Sequence, residues 1–158
     1  MAKDKRHVTA AVRFLRERKV EFTEHPYQYV ERGGTSTFAK QYHVDEQMVI
    51  KTLIMEDETG RPAIVLMHGN KEVSTKELAR ILGVKKVVPS ANPQKHSGYM
   101  IGGTSPFGTR KAMPVYMEES LLDLPKIYIN GGRRGLLIAM DPHDIVRTLY
   151  AKLVRVGI

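Results

Sequence analysis

The sequence has no cysteine and no apolar run long enough to cross a bilayer. Without cysteine, the chain can form no disulfide bond, no thiolate zinc site and no cysteine nucleophile. A membrane helix needs about 20 consecutive apolar residues, so we expect no membrane association. No apolar secretory segment follows the charged start of the chain, and the simplest expectation is therefore a cytoplasmic protein.

The patterns of metal and nucleophilic catalysis are also missing. The six histidines are scattered, and no two lie four residues apart on a predicted helix, so we expect no metal site. No Gly-x-Ser-x-Gly nucleophile elbow occurs. Asp141 and Asp144 are typical of a helix cap and a first-turn charge. If the chain is an enzyme, we expect it to act by positioning and electrostatic stabilisation, without a cofactor.

The composition is that of a soluble globular protein. The 158 residues are 42% hydrophobic and 27% charged, which predicts a single domain spanning 1–158. The net charge is +8, with +5 in residues 1–20, −5 in 21–60, +7 in 61–115 and +1 in 116–158. A surface polarised in this way attracts polyanions such as nucleic acid. Ordinary solvated helix faces give the same pattern, so charge alone leaves the partner open.

Apolar periodicity and capping residues predict short helices and short strands. Helices are expected over 7–19, 36–43, 75–82, 119–124 and from Pro142 onward, with one further turn in 90–97. Strands are expected over 20–25, 48–55, 62–67, 114–117, 126–130 and 135–140, and 84–88 is either a strand or a connector. The two kinds of element do not alternate regularly. We therefore predict an α+β fold with a mixed, mostly antiparallel sheet flanked by short helices.

Several element ends carry specific signals. Ser74-Thr-Lys-Glu77 has the capping-box pattern, and Gly83 stops the helix that follows it. Thr35 or Ser36 is expected to cap the second helix. Asp141 and Pro142 are typical of the start of the last helix, whose apolar stripe is predicted to be Val146, Leu149 and Leu153.

The stretch 99–111 is the strongest candidate for a ligand loop. It begins with a short apolar run that suits a strand, breaks at Gly102-Gly103 and ends with Pro106, Gly108 and two cations. Paired glycines let backbone approach a ligand closely, and consecutive N–H groups can cradle an anion. A tight turn between strands is the simpler interpretation. A second turn of glycines and cations, 131–134, is open to the same two interpretations.

Lys51 is unusual because it lies inside a predicted strand. Val49 and Leu53 share its face, so this cation has apolar neighbours on both sides. Such a lysine is either on the outward face of an edge strand or beside an anionic ligand. Together with the two glycine turns, Lys51 would suit the phosphate groups of a ligand.

Five segments in order resemble the YbaK family, the freestanding relatives of the prolyl-tRNA synthetase editing domain. They are His25-Pro-Tyr27, Ile50-Lys-Thr-Leu53, Leu82-Gly-Val-Lys-Lys-Val87, the run 98–108 and the run 127–136. The resemblance covers nearly the whole chain. It implies a YbaK-like editing fold and the hydrolytic removal of a wrong amino acid, cysteine first, from tRNA(Pro). The resemblance also suggests prolyl-tRNA synthetase as a partner.

The resemblance also implies the residues of the site. By the resemblance, Lys51 corresponds to the family's key functional lysine. Gly102 to Pro106 corresponds to its Gly-x-x-x-Pro loop, and Tyr27 corresponds to its substrate-pocket tyrosine. The residues expected to contact substrate are Tyr27, Thr52, Gly102, Gly103, Thr104, Ser105, Pro106, Asn130 and Gly131. The chain departs from the family at Asn130, at Leu136-Leu137 and at Gly33-Gly34, which puts the amino-acid preference in question.

Two mechanisms and two other functions stay open at this point. Attack on the aminoacyl ester can come from water, or from the thiol of a cysteinyl substrate to give a cyclic thiolactone. Lys51 and the N–H groups of Gly102 and Gly103 would bind the phosphate and ester or stabilise the oxyanion. A non-catalytic RNA- or nucleotide-binding module is the main alternative, and a scaffold for an acidic protein partner is the other.

Overall fold

The computed structural model describes residues 8–158, so the predicted start of the first helix at His7 lies outside the described residues. The helices are α1 (Ala10–Glu17), α2 (Gly34–Tyr42), α3 (Thr75–Leu82), α4 (Pro93–Ser97) and α5 (Pro142–Leu149). The strands are β1 (Phe22–Pro26), β2 (Ile50–Asp57), β3 (Pro62–His68), β4 (Val87–Pro89), β5 (Val115–Glu118), β6 (Ile127–Arg133), β7 (Leu136–Met140) and β8 (Lys152–Val154). Short 3-10 helices cover Glu46–Met48 and Glu119–Asp123.

The strands form two sheets that are joined by a β-bridge. An antiparallel sheet has the order β1-β7-β6, and a mixed sheet has the order β4-β2-β3-β5-β8. In the second sheet β2 pairs antiparallel with β3 and β4, whereas β5 runs parallel to β3 and β8. A parallel bridge from Val49 to Tyr128 joins the start of β2 to β6. The predicted α+β class with a mostly antiparallel sheet is confirmed.

The main core lies where these sheets and α1 pack together. Apolar side chains from α1, both sheets and the 99–111 stretch meet there, including Leu15, Leu66, Phe107 and Ile129. A smaller cluster under α2 contains Phe38, Val49, Tyr128 and Leu137. This second cluster matters for the site because it places α2 over the junction of the two sheets.

The starts of α3 and α5 were predicted correctly, but the capping box at Ser74 is only half formed, because the Ser74 amide donates to the Val156 carbonyl and not to Glu77. The Ser74 hydroxyl accepts a hydrogen bond from the Glu77 amide at 3.2 Å, and Gly83 ends α3 in the left-handed conformation. The Asp141 carboxylate accepts from the His143 amide at 2.9 Å, with Pro142 at the first helical position. Within residues 8–158, no helix has both the length and the apolar character needed to cross a membrane.

Other local predictions were wrong. Gly33 is the N-cap residue of α2, and the Thr35 hydroxyl instead donates to the Glu46 carboxylate at 2.7 Å. Leu153 lies on β8, which the sequence did not predict, because Tyr150 takes a left-handed conformation and ends α5.

The two glycine segments also differ from prediction. Tyr99 to Ile101 is not a strand, since Met100 and Ile101 are more than half exposed and lead into the turn that the Gly103 amide closes on the Met100 carbonyl. Gly131 and Gly132 form an irregularity within β6, and the chain reverses at Arg134-Gly135.

Candidate active site

Residues 99–111 form a closed loop, called here the glycine loop, whose base is fixed by backbone and side-chain bonds. The Arg110 amide donates to the Ser97 carbonyl at 2.9 Å, and the Lys111 amide donates to the His96 carbonyl at 3.2 Å. The Lys111 ammonium lies 3.1 Å from His96 Nδ1, and His96 Nε2 lies 2.9 Å from the Glu56 carboxylate. Because Glu56 is on β2, these contacts attach the loop to the larger sheet.

The interior of the glycine loop is packed. Ser105, Pro106 and Phe107 are buried, and the Ser105 hydroxyl accepts from the Phe107 amide at 3.1 Å. The Tyr99 hydroxyl donates to the Phe107 carbonyl, and burial raises the pKa of Tyr99 to about 12. Ser105 and Pro106 therefore shape the loop from inside, whereas Thr104 is half-buried.

The tip of the loop lies directly on the β6–β7 hairpin. Asn130 Nδ2 donates to the Gly102 carbonyl at 3.0 Å, and Arg134 Nε donates to the Ile101 carbonyl at 2.8 Å. A Cβ atom on Gly103 would lie 2.9 Å from the Cα of Arg133, so the two glycine turns touch backbone to backbone. The two turns therefore belong to one assembly.

The expected anion cradle of Gly102 and Gly103 needs a correction. The Gly103 amide donates to the Met100 carbonyl at 2.8 Å, so this N–H closes a turn within the loop. Gly102 has a φ of +90°, which a residue with a side chain rarely adopts. These two glycines therefore shape the tip of the loop, and they do not offer a pair of free N–H groups to an anion.

Tyr29 completes the tip and was missed by the sequence reasoning. A Cβ atom on Gly102 would lie 2.5 Å from the Tyr29 hydroxyl oxygen, and the Arg134 guanidinium lies 5.1 Å from the centre of the Tyr29 ring. Arg134 thus lies between the aromatic ring and the Ile101 carbonyl. A tyrosine two residues after Tyr27 was the available signal, because alternate residues of an extended segment share a face.

Lys51 and Asn130 occupy equivalent positions on β2 and β6, the two strands that the Val49–Tyr128 bridge joins. Val49 and Tyr128 form the parallel bridge between β2 and β6 and pack in the cluster under α2. Lys51 and Asn130 each follow two residues later along their strands, so each lies on the same face of its own strand as the bridge residue. The Lys51 side chain is only 21% exposed.

Tyr27 borders the same cluster. Its amide donates to the Gly135 carbonyl at 2.9 Å, and its ring meets the Phe38 ring edge to face at 5.4 Å. Burial, followed by nearby Tyr29, raises the pKa of Tyr27. Tyr27 therefore packs against the same apolar cluster as Val49 and Tyr128, which precede Lys51 and Asn130 by two residues.

Thr52, a predicted substrate contact, does not lie on the same face of β2 as Lys51. It lies on the opposite face of β2, with Ile50 and Ile54, which belong to the main core. Its hydroxyl oxygen is buried and has no hydrogen-bond partner within residues 8–158. Two shallow hollows, one on α2 between Ser36 and Glu46 and one on α3 between Ser74 and Lys85, are lined by none of the predicted site residues.

Glu72 is the second residue that the sequence reasoning missed. One of its carboxylate oxygens lies 3.6 Å from Lys51 Nζ, and its side chain is 82% exposed. It follows the turn after β3, where a Cβ atom on Gly69 would lie 2.6 Å from the Val49 carbonyl. The site therefore has a half-buried cation and an exposed anion side by side.

Comparisons with known proteins show the family of the chain. The family model of the aminoacyl-tRNA editing domain matches residues 33–148. The chain belongs to this family, which confirms the resemblance to YbaK proteins and the expected enzyme class, an aminoacyl-tRNA deacylase.

Individual relatives agree with that family. The candidate Cys-tRNA(Pro)/Cys-tRNA(Cys) deacylase EbsC of Enterococcus faecalis is 29% identical over 150 residues, which are 92% of this chain and 92% of that protein. A proline–tRNA ligase of Thermodesulfovibrio yellowstonii is 34% identical over 65 residues, 41% of this chain and 11% of the ligase. The crystal structure of a candidate trans-editing enzyme for prolyl-tRNA synthetase has the same fold, with a TM-score of 0.81, 19% identity and 99% of each chain covered.

Proposed function

We propose that this deacylase releases mischarged cysteine from tRNA(Pro), acting on the aminoacyl-tRNA as a separate protein. The observation that carries the proposal is Lys51, a lysine whose side chain is only 21% exposed and which follows by two residues the bridge that joins the two sheets. The name of the relative EbsC supports cysteine as the amino acid and tRNA(Pro) as one carrier. The partial match to a proline–tRNA ligase supports prolyl-tRNA synthetase as the enzyme whose errors are removed.

Lys51 is the proposed catalytic residue. Its ammonium group would stabilise negative charge on the ester carbonyl oxygen as the tetrahedral intermediate forms, or hold the adjacent terminal phosphate. A cation shielded from solvent interacts more strongly with that charge than a surface lysine would. The glycine loop, fixed by Asn130 and Arg134, would form the opposite wall around the 3′ end.

The attacking group comes from water or from the substrate. In the second case the cysteinyl sulfur forms a bond to its own carbonyl carbon, the ester C–O bond breaks, and the ribose oxygen takes the proton that the thiol releases. The product is a thiolactone, which water then opens. Cys-tRNA and Ser-tRNA distinguish the two routes, because serine has an oxygen in place of the sulfur.

The tRNA would lie across the basic surface beside the glycine loop. Arg133 is exposed where its backbone touches Gly103, Arg110 is exposed beside Gly98, and Arg13 is exposed on α1. Helix α1 contacts β6, and a Cβ atom on Gly108 would lie 2.8 Å from the Ala10 carbonyl, so these cations surround one region. Phosphate contacts of this kind give affinity that falls steeply with salt.

The test is a deacylation panel of Cys-, Ala-, Ser- and Pro-tRNA(Pro) with three proteins. We expect the wild type to release cysteine fastest and Lys51→Ala to lose about 100-fold or more of that rate. Lys152→Ala removes the same charge from an exposed position on β8 and should change the rate by less than about twofold.

Two results would contradict the proposal. If the wild type releases no amino acid and binds tRNA tightly and salt-sensitively, the chain is a non-catalytic RNA-binding module. If Lys51→Ala and Lys152→Ala have equal rates, Lys51 is not catalytic.

A further inference from the structure

We infer that Glu72 forms the subsite for the α-ammonium group of the aminoacyl ester. The inference rests on the proposed function, because it concerns the amino acid that Lys51 would help to release. Nothing in the sequence singled out Glu72, and the geometry around Lys51 points to it.

The first observation is the pair of charges. Lys51 Nζ and the Glu72 carboxylate are 3.6 Å apart, which is an ion pair beyond hydrogen-bond distance. An ionised carboxylate can accept about four hydrogen bonds, so Glu72 retains capacity for a second cation. Its 82% exposure makes that capacity accessible from solvent, whereas Lys51 is mostly covered.

The second observation is that the backbone of Glu72 is fixed. Its amide donates to the Ile158 carbonyl and its carbonyl accepts from the Ile158 amide, both at 2.9 Å. Val73 bridges to Gly157, and the Ser74 amide donates to the Val156 carbonyl at 2.7 Å. A carboxylate on a backbone held in this way costs less entropy to order around a ligand than one on a free loop.

The third observation is the match with the chemistry of the substrate. An aminoacyl ester carries a free amino group, largely protonated at neutral pH, on the carbon next to the ester carbonyl. If Lys51 faces the negative charge that develops on that carbonyl, the neighbouring ammonium group needs an anion close to Lys51. Glu72 is the carboxylate that pairs with Lys51 within residues 8–158.

This subsite would also determine which substrates are accepted. A peptidyl-tRNA or N-blocked aminoacyl-tRNA has an uncharged amide in place of the ammonium group, and would lose the charge-assisted bond to Glu72. The enzyme would then act on free aminoacyl-tRNA in preference to peptidyl-tRNA.

The experiment compares Cys-tRNA(Pro) with its N-acetylated form in three proteins. We expect the wild type to prefer the free amine by about 10- to 100-fold in kcat/KM, the range for a charged hydrogen bond. Glu72→Gln should reduce this preference to about threefold or less by slowing only the free-amine substrate. Glu21→Gln, at an exposed glutamate, should keep the wild-type preference.

A second measurement separates binding from turnover. Calorimetry would compare two non-hydrolysable probes, adenosine with cysteine joined to its 3′ carbon through an amide, with the amine free or acetylated. Tighter binding of the free amine that is lost in Glu72→Gln supports the subsite even if the proteins release no cysteine, in which case only the proposed function fails.

Three results would overturn the inference. The wild type could treat the free and acetylated forms alike, Glu72→Gln could keep the preference, or it could accelerate both substrates equally. The last result would mean that Glu72 only neutralises Lys51.

Discussion

The side chain of Asn130 connects the two glycine segments of the molecule. Its Nδ2 donates to the Gly102 carbonyl at 3.0 Å, while its Oδ1 accepts from the Gly132 amide at 2.7 Å. The donor and the acceptor are thus used on opposite sides, one toward the glycine loop and one within β6. Asn130 therefore fixes the distance between the loop and β6.

Asn130→Asp should impair catalysis. Aspartate keeps the acceptor for the Gly132 amide but places a charged oxygen against the Gly102 carbonyl, which costs about 1–3 kcal/mol locally. We expect kcat for Cys-tRNA(Pro) to fall about 10-fold or more, with a smaller change in KM. Single-turnover deacylation rates would measure this.

The matched control is Asn92→Asp, which introduces the same charge at an exposed position before α4. Equal kcat values for the two variants would show that the contact between Asn130 and Gly102 has no part in catalysis.

Gly102→Ala should distort the tip of the glycine loop. The φ of +90° strains any side chain, and the new Cβ would lie 2.5 Å from the Tyr29 hydroxyl oxygen. We expect a loss of about 1–3 kcal/mol in the free energy of unfolding and a strong loss of deacylation.

Gly60→Ala is the comparison for this variant, because Gly60 has a similar φ of +84° but its nearest atom would be 4.0 Å away. The difference in unfolding free energy between the two variants measures the steric contact alone. A Gly102→Ala protein as stable as Gly60→Ala would rule that contact out.

Tyr99 should make the protein sensitive to alkali. Burial raises its pKa from the ordinary 10 to about 12, so the folded state favours the neutral phenol. That contribution to stability is fully present below pH 10 and is lost as the pH rises through 12. Urea titration would measure the unfolding free energy of each protein from about pH 9 to about pH 12. The value for the wild type should fall more steeply than that for Tyr99→Phe.

Tyr150→Phe, at an exposed tyrosine, is the control and should follow the wild type. Parallel curves for the wild type and Tyr99→Phe would contradict the assignment.

Glu56 should contribute to stability against acid. A hydrogen bond from Ser90, and then one from His96, lower the pKa of Glu56 below its ordinary 4.5. Stability from this carboxylate is present above pH 4.5 and is lost as the pH falls through the lowered value. Replacing it by Gln should flatten the dependence of unfolding free energy on pH in this acidic range.

The test compares urea unfolding of the wild type, Glu56→Gln and Glu17→Gln, an exposed glutamate on α1. If Glu56→Gln loses stability on acidification as steeply as the other two, the bonds to Ser90 and His96 do not act through the charge of Glu56.

The sequence predicted the features that depend on residues close together in the chain. The α3 cap depends on Ser74 and Glu77, three residues apart, so it was found. Lys51 was identified because a cation in an apolar strand is unusual at any location. The family resemblance then supplied an expected role for it.

The missed features depend on residues distant in sequence. Glu72 reaches Lys51 only because β3 returns alongside β2 and Ile158 holds the following segment. The role of Arg134 in fixing Ile101 spans 33 positions, and no local pattern encodes it. The resemblance implied that Ser105 contacts substrate, but its side chain is buried and its hydroxyl accepts from the Phe107 amide within the loop.

Residues 8–32 contribute to the structure although the family model does not include them. Strand β1 pairs along its whole length with β7, from Phe22 with Met140 to Pro26 with Leu136. The Thr9 hydroxyl on the N-terminal side of α1 donates to the Gly131 carbonyl. A fragment cut to residues 33–148 would leave β7 as an exposed edge, with unpaired backbone groups on a strand whose side chains are all buried. Such an edge is a template for pairing with other chains, so the fragment should aggregate.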